Sequence, residues 1–250
     1  MIGQKRDAEC DEHGGYTSYF IKVGGGRWTG CPICAEKLVE ESNAKQQEAA
    51  AEQMREARAR ARIAQTGLPR RLQGATFSSY RFEPGTQQED TLGVVWSYAQ
   101  AMEDNLKTGE SLILMGNMGN GKTHLACAVI DHVIKNHDVS ALYMTAPSLF
   151  TAIKESYRGD GESEADIINR LASVPLLVLD EIGIGKGSDH ELGILYQVLG
   201  RRYDECLPTI LATNLGGKDF RAWMGDRLAD RLRETCRVAL FNWESNRSRT

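Results

Sequence analysis

The sequence predicts an α/β fold: a five-stranded parallel sheet wrapped by helices, preceded by a small cysteine-bearing module and a long helix. Three observations carry this expectation. From about residue 76 onward, short apolar runs alternate with stretches of helical composition, the pattern of strands joined by helical crossovers. A glycine-rich phosphate loop lies between the first of those runs and the helical stretch that follows it. Two cysteine-containing knuckles crowd the first 34 residues, well apart from the other cysteines.

At 250 residues the chain has room for one or two domains with a sizeable core. There is no run of 18 apolar residues and no signal-peptide pattern, so a cytoplasmic protein without a membrane partner is expected. The net charge of −4 supplies no global basic field, and any contact with nucleic acid must come from local patches. Six cysteines in a cytosolic chain read as thiols or metal ligands rather than disulfides. Cys127, Cys206 and Cys236 are scattered and read as small buried side chains.

In the N-terminal module, Cys10-x-x-His13 and Cys31-x-x-Cys34 are separated by seventeen residues, a spacing that suits a structural Zn²⁺ site with three thiolates and one imidazole. Between the knuckles, segments 16–23 and 27–29 flank Gly24, Gly25 and Gly26, a hairpin that would bring the four ligands together. So small a fold has little core, and the metal would supply much of its stability.

Residues 35–64 contain neither Pro nor Gly and are rich in Ala, Glu, Gln and Arg, which predicts a helix. Its apolar positions are sparse and small, so it is either a solvated spacer or a helix with a face for a partner. Arg55, Arg58, Arg60 and Arg62 read as a solvated face. Thr66-Gly67-Leu68-Pro69 breaks the helix. The expected organisation is a zinc module plus helical tether at 1–66, a linker at 67–75, and the sheet domain at 76–250.

Strands are expected at 111–115, 140–145, 176–180, 209–213 and 237–243, with ligands at their carboxyl ends. The phosphate loop, Gly116-Asn117-Met118-Gly119-Asn120-Gly121-Lys122-Thr123, satisfies G-x-x-x-x-G-K-[ST] in the strand–loop–helix context it requires. Its glycines let backbone N–H groups turn in around a β-phosphate, and the following helix points its positive end at the same anion. Lys122 reaches the β- and γ-phosphates, and the Thr123 hydroxyl ligates Mg²⁺. The third apolar run ends in Asp180, suited to the Mg²⁺ shell, and Glu181, placed to orient and deprotonate a water. An acid pair here favours hydrolysis over phosphorylation of a small molecule. Asn214 ends the next strand, where an amide can bridge the attacking water and the γ-phosphate.

Five blocks in order, GNMGNGKTHLA, LLVLDEIG, LATN, GDRLADRLRE and FNWESNRSR, resemble the AAA+ ATPases of the DnaC-type replicative helicase loaders, with the IstB-type transposition ATPases as close relatives. The resemblance covers about residues 65–250. It implies an AAA+ ATPase in which ATP acts as a switch, and the few residues after the fifth strand leave no room for the C-terminal helical lid of many AAA+ proteins. The N-terminal module is similar to the zinc-bearing helicase-binding domain of some loaders. The partners implied are a replicative helicase hexamer, single-stranded DNA, and further copies of the chain through the ATPase domain.

The resemblance also gives roles to residues whose chemistry fits. Arg231, and second to it Arg227, would reach a neighbouring subunit's ATP as an arginine finger; the alternative is pairing with Asp226, Asp230 and Glu234 around them. Arg247 and Arg249 in the tail are further candidates for nucleotide or neighbour. Phe150, Lys154, Tyr157 and Arg158 follow the second strand, and the first three share a helical face. They would stack on bases and hold phosphate in single-stranded DNA, or else pack Phe150 and Tyr157 into the core. Other functions compatible with the sequence are a transposition helper that binds duplex DNA and recruits a transposase, a metabolic kinase, and an inhibitor that sequesters a helicase.

Overall fold

A computed structural model describes residues 2–22, 25–159, 161–185 and 187–244. Two compact units divide between Ala57 and Arg58.

The first unit is an antiparallel three-stranded sheet, β1 (Ile2–Cys10), β2 (Gly14–Ile21) and β3 (Arg27–Trp28), followed by most of a long helix, α1 (Pro32–Gln65). β2 and β3 form the glycine hairpin, with Phe20 opposite Trp28. Gly26 adopts φ 76° beneath the Phe20 ring, where a Cβ would lie 2.5 Å from a ring carbon. β1 pairs with the other edge of β2, from Lys5 opposite Tyr19 to Cys10 opposite Gly14. Its polar sequence carries no apolar alternation, which is why pattern alone does not predict it. Arg6 covers the Trp28 ring at 4.3 Å, and the Ser18 hydroxyl donates to Thr29 O at 2.6 Å. Among the described residues of this unit only Ser18 and Cys31 are buried. Leu38, Val39 and Met54 on α1 are exposed.

In the second unit the last turns of α1 bury Ala59 and Ile63. Residues 67–75, expected as a linker, belong to this unit: Leu68 and Ala75 are buried, and Tyr143 N donates to Thr66 O at 2.7 Å. There follow α2 (Gln87–Gln100), α3 (Met102–Thr108), β4 (Ser111–Gly116), α4 (Lys122–Asn136), β5 (Ala141–Thr145), α5 (Ala146–Ser156), α6 (Glu164–Ser173), β6 (Leu176–Ile182), α7 (Asp189–Asp204), β7 (Thr209–Thr213), α8 (Gly217–Met224), α9 (Asp226–Thr235) and β8 (Cys236–Phe241). The five strands β4–β8 are parallel, in the order β5-β6-β7-β4-β8. The strand feeding the phosphate loop therefore lies between β7 and β8.

Side chains alternate across this sheet into two apolar clusters. Leu112, Leu114, Val178 and Ile210 pack with α2 and α4, while Ile113, Leu177, Leu179 and Leu211 face α5–α9. Crossover helices begin at defined caps. Ser163 with Asp166 and Ser188 with Glu191 form reciprocal capping boxes, and Thr145 caps α5.

One buried cation ties the amino ends of β6 and β7. The Arg202 guanidinium donates to Thr209 Oγ1 at 2.8 Å and to the carbonyls of Leu171, Val174, Pro175 and Pro208 at 2.6–3.2 Å. Burial pulls it down to about 10, which leaves it charged at neutral pH. Five acceptors surround it, enough to engage the donors of a buried guanidinium.

Candidate functional site

The phosphate loop is anchored from both sides. Gly116 (φ 141°) packs so closely on β8 that a Cβ would lie 2.3 Å from Phe241 O. Asn120 is fully buried; its side-chain amide donates to Phe241 O at 3.0 Å and Trp243 O at 2.5 Å. Tyr80 OH donates to Asn120 O at 3.1 Å, and Gly121 (φ 91°) lies under the Tyr80 ring. These contacts hold the turn that points loop amides toward an anion. At the loop tip, Met118 is exposed.

Lys122 opens α4, with Nζ 2.8 Å from Gly116 O and 2.6 Å from Asn117 O. Burial pulls it down to about 8, while Asp180 pushes the other way. A triphosphate would supply the negative charge this ammonium lacks.

Asp180 is buried at the carboxyl end of β6 and accepts from Tyr143 OH at 2.9 Å and from Glu181 N at 2.7 Å. Burial, and then the Asp180 charge, push the Tyr143 phenol well up, so it stays a donor. Glu181 is exposed and adopts φ 59°, a left-handed conformation that costs a non-glycine residue of order 1 kcal/mol. The twist turns its side chain out of the strand's alternation. Asp180, Glu181, Asn214, Thr123 and Lys122 line one cleft of about 410 Å³. Arg71, Leu72 and His124 line it too. Arg71 and Leu72 fall in the stretch expected as a linker, which gives no sequence signal for a cleft wall.

Arg227 and Arg231 lie on α9, away from this cleft. The Arg227 guanidinium is 5.3 Å from the Tyr196 ring; that of Arg231 is 5.8 Å from Tyr196 and 5.0 Å from Tyr203, with Nη1 3.7 Å from Asp204. The acids around them have other partners. Arg221 takes Asp226 at 2.7 Å and Asp230 at 2.9 Å, and Glu234 accepts from Tyr203 at 2.7 Å. Arg231 borders a second cavity with Ser111 and Thr209, the first residues of β4 and β7. It therefore sits a strand's length, about 17 Å, from the phosphate end of the sheet. Arg247 and Arg249 lie outside the described residues.

Of the four residues proposed to touch DNA, Phe150 is a correction. It is buried in the cluster that faces α5–α9, because α5 turns that side onto the sheet, and its ring has no face for a base. Lys154, Tyr157 and Arg158 are exposed. Lys154 pairs with Glu191 at 3.3 Å, and Tyr157 OH lies 2.5 Å from Glu164 and 3.0 Å from His190 Nε2.

In the first unit, one donor atom from each of Cys10, His13, Cys31 and Cys34 lies within 4.8 Å of the others. Cys10 ends β1, His13 lies in the β1–β2 turn, Cys31 comes from the chain after β3, and Cys34 from the first turn of α1. The Cys10 and Cys34 sulfurs are 3.6 Å apart, and His13 Nδ1 is 3.3 Å from Cys34 Sγ. Tetrahedral bonds of about 2.3 Å to one Zn²⁺ would hold two sulfurs about 3.8 Å apart. The Glu12 amide and then His13 bring Cys10 down to about 6; the Cys10 sulfur pushes Cys34 up to about 11.

The model of the IstB-like ATP binding protein family matches residues 36–250. The chain belongs to that family. It is 34% identical to the replicative helicase loader DnaC of Escherichia coli K12 over 178 residues, 71% of each chain. With the DnaC loader of Buchnera aphidicola subsp. Acyrthosiphon pisum it shares 30% over 187 residues, 74% of each. Among solved structures, a DnaC helicase loader matches at TM-score 0.63 and 20% identity, covering 69% of this chain and 99% of that one. DnaI matches at 0.61 and 22%, covering 70% and 95%. AMPPCP-bound DnaA from Aquifex aeolicus matches at 0.56 and 21%, covering 68% and 50%. The second unit thus has the AAA+ fold of an ATP-binding protein. No helix among the described residues is long and apolar enough to cross a membrane.

Proposed function

We propose that this chain is an ATP-dependent loader of a replicative DNA helicase, with a zinc-bound N-terminal module that grips the helicase and an AAA+ unit that hydrolyses ATP as a switch. Carrying this reading is the 34% identity to a replicative helicase loader over 178 residues, in a chain whose cleft unites the phosphate loop, Asp180, Glu181 and Asn214. Domain roles follow the two units: the module and most of α1 serve as adaptor and tether, and the rest is the motor.

In the cleft, loop amides and Lys122 hold the β- and γ-phosphates. The Thr123 hydroxyl and the Asp180 carboxylate, which face the same space, would hold Mg²⁺. When bound, Mg²⁺ offsets the charge on the phosphate oxygens. Glu181 takes a proton from the attacking water, and Asn214 orients that water on the γ-phosphate. Arg231 is too far from its own cleft to act there, which supports a role in the cleft of a neighbouring copy. Arg231→Ala is expected to keep ATP binding and lose about 10³-fold in assembly-dependent turnover. Arg227→Ala should lose less. Unchanged steady-state phosphate release in both variants would end this assignment.

Single-stranded DNA runs past Lys154, Tyr157 and Arg158. Replacing Lys154 and Tyr157 together by Ala should weaken binding of a labelled oligonucleotide about tenfold and flatten its salt dependence. Wild-type affinity in the double variant would move the DNA path elsewhere.

The loader reading is tested by co-elution of the full chain with a replicative helicase hexamer from the same source, with and without ATP. A stable complex supports it. The family match to IstB-like proteins supports a second reading, a transposition ATPase that binds duplex DNA and recruits a transposase. No complex with the helicase, together with a preference for bent duplex DNA, would favour that reading.

A further inference from the structure

Asp180 accepts a hydrogen bond from a residue on the neighbouring strand. Tyr143 stands on β5, its backbone in register with Val178 of β6, and its phenol is buried with the hydroxyl donating to Asp180 Oδ2 at 2.9 Å. Asp180 Oδ1 accepts from Glu181 N at 2.7 Å. A carboxylate offers about four lone-pair positions. One on each oxygen is taken inside the protein, which leaves others for the cleft that Asp180 lines together with Thr123 and Lys122.

The tyrosine is itself held on its far side. Its N–H donates to Thr66 O at 2.7 Å. Gly67, at φ 80°, lies so close that a Cβ would meet Tyr143 O at 2.7 Å. The end of α1 thus closes the outer edge of β5, leaving Tyr143 little freedom to move away from Asp180.

We propose that Tyr143 is a positioning residue for the metal-nucleotide complex: its hydroxyl aims the Asp180 carboxylate at the cation. This rests on the proposed role of Asp180 as an Mg²⁺-shell ligand. Hydrogen bonds to a ligating carboxylate set its direction and basicity, and their loss typically costs about 10- to 100-fold in metal affinity. No proton moves and no bond forms at Tyr143.

The experiment is a titration of Mg²⁺ against the full chain holding a fluorescent ATP analogue, in wild type, Tyr143→Phe, Asp180→Asn and Cys127→Ala. Analogue affinity in EDTA is expected to stay within about twofold of wild type in Tyr143→Phe, since the phosphate loop is untouched. The Mg²⁺ concentration for half-maximal tightening should rise about tenfold in Tyr143→Phe, and further in Asp180→Asn. Cys127 is a buried thiol on α4, close enough to feel the Asp180 charge. Its replacement changes packing without removing a hydrogen bond to Asp180, and should leave the Mg²⁺ titration as in wild type. A wild-type titration in Tyr143→Phe, with Asp180→Asn shifted, would overturn the proposal while sparing the role of Asp180. An equal shift in Cys127→Ala would mark the effect as packing and overturn it too. A wild-type titration in Asp180→Asn would remove the metal reading on which it rests.

Discussion

Glu181→Gln is expected to bind ATP as tightly as the wild type and to lose hydrolysis by about 10²- to 10⁴-fold, the usual contribution of a positioned general base. The amide keeps the size and reach of the carboxylate but cannot take a proton from water. Its neighbour is expected to behave differently, because Asp180 is buried and committed to Tyr143 and to the Glu181 amide, while Glu181 is exposed. Asp180→Asn should therefore weaken Mg²⁺-dependent nucleotide binding, and Glu181→Gln should leave it alone. The left-handed backbone at Glu181 strengthens the argument, since that conformation moves its side chain off the pleat of β6. Single-turnover phosphate release, measured with DNA and helicase present, separates the two. A Glu181→Gln protein with wild-type turnover would mean that another group activates the water. A variant that binds but does not hydrolyse should also accumulate in its DNA-engaged assembly, visible by size-exclusion chromatography with ATP.

The second large effect concerns the N-terminal unit. Purified protein is expected to carry about one zinc per chain, and removing it should unfold the β1–β2–β3 sheet while leaving the AAA+ unit intact. The physical reason is the thinness of the core: among the described residues, only Ser18 and Cys31 are buried there. A structural Zn²⁺ contributes about 10–16 kcal/mol of apparent binding energy, far more than so small a core supplies. Cys31→Ser, which removes the buried ligand, should act like the chelator. Amide exchange gives the readout: protection in the β1–β2 ladder should collapse in chelator, while β4, β6 and β7 keep theirs. A metal-free protein with an unchanged β1–β2 ladder would exclude a structural zinc.

Much of the sheet unit was legible in the sequence, for a simple reason. The central strands β4, β6 and β7, buried along nearly their whole length, read as continuous apolar runs, and all five strands lie within a few residues of their expected positions. The phosphate loop was equally plain, because its glycines are demanded by backbone geometry. Less visible were features that depend on which side of an element faces inward. The spacing of Phe150, Lys154 and Tyr157 suits one helical face, yet α5 buries Phe150 against the sheet and leaves the other two outside. Arg201 and Arg202 look alike in sequence; only the loops before β6 and β7 select Arg202 for burial. Nor does any local signal join Tyr143 to Asp180, 37 residues away on the next strand. β1 carries no sequence signal because its pairing comes from backbone complementarity to β2 rather than from an apolar face.

Loading differs from mere binding in that the helicase ring must open. A closed circle of single-stranded DNA has no end for a helicase ring to thread, so deposition on it requires the ring to be opened. The decisive measurement is transfer of a replicative helicase hexamer onto such a circle, with the full chain and ATP. ATP-dependent deposition is expected of the wild type, with Glu181→Gln able to engage the helicase and DNA but slow to release. A chain that binds the hexamer yet lowers its deposition would overturn the loader reading and identify a helicase inhibitor instead.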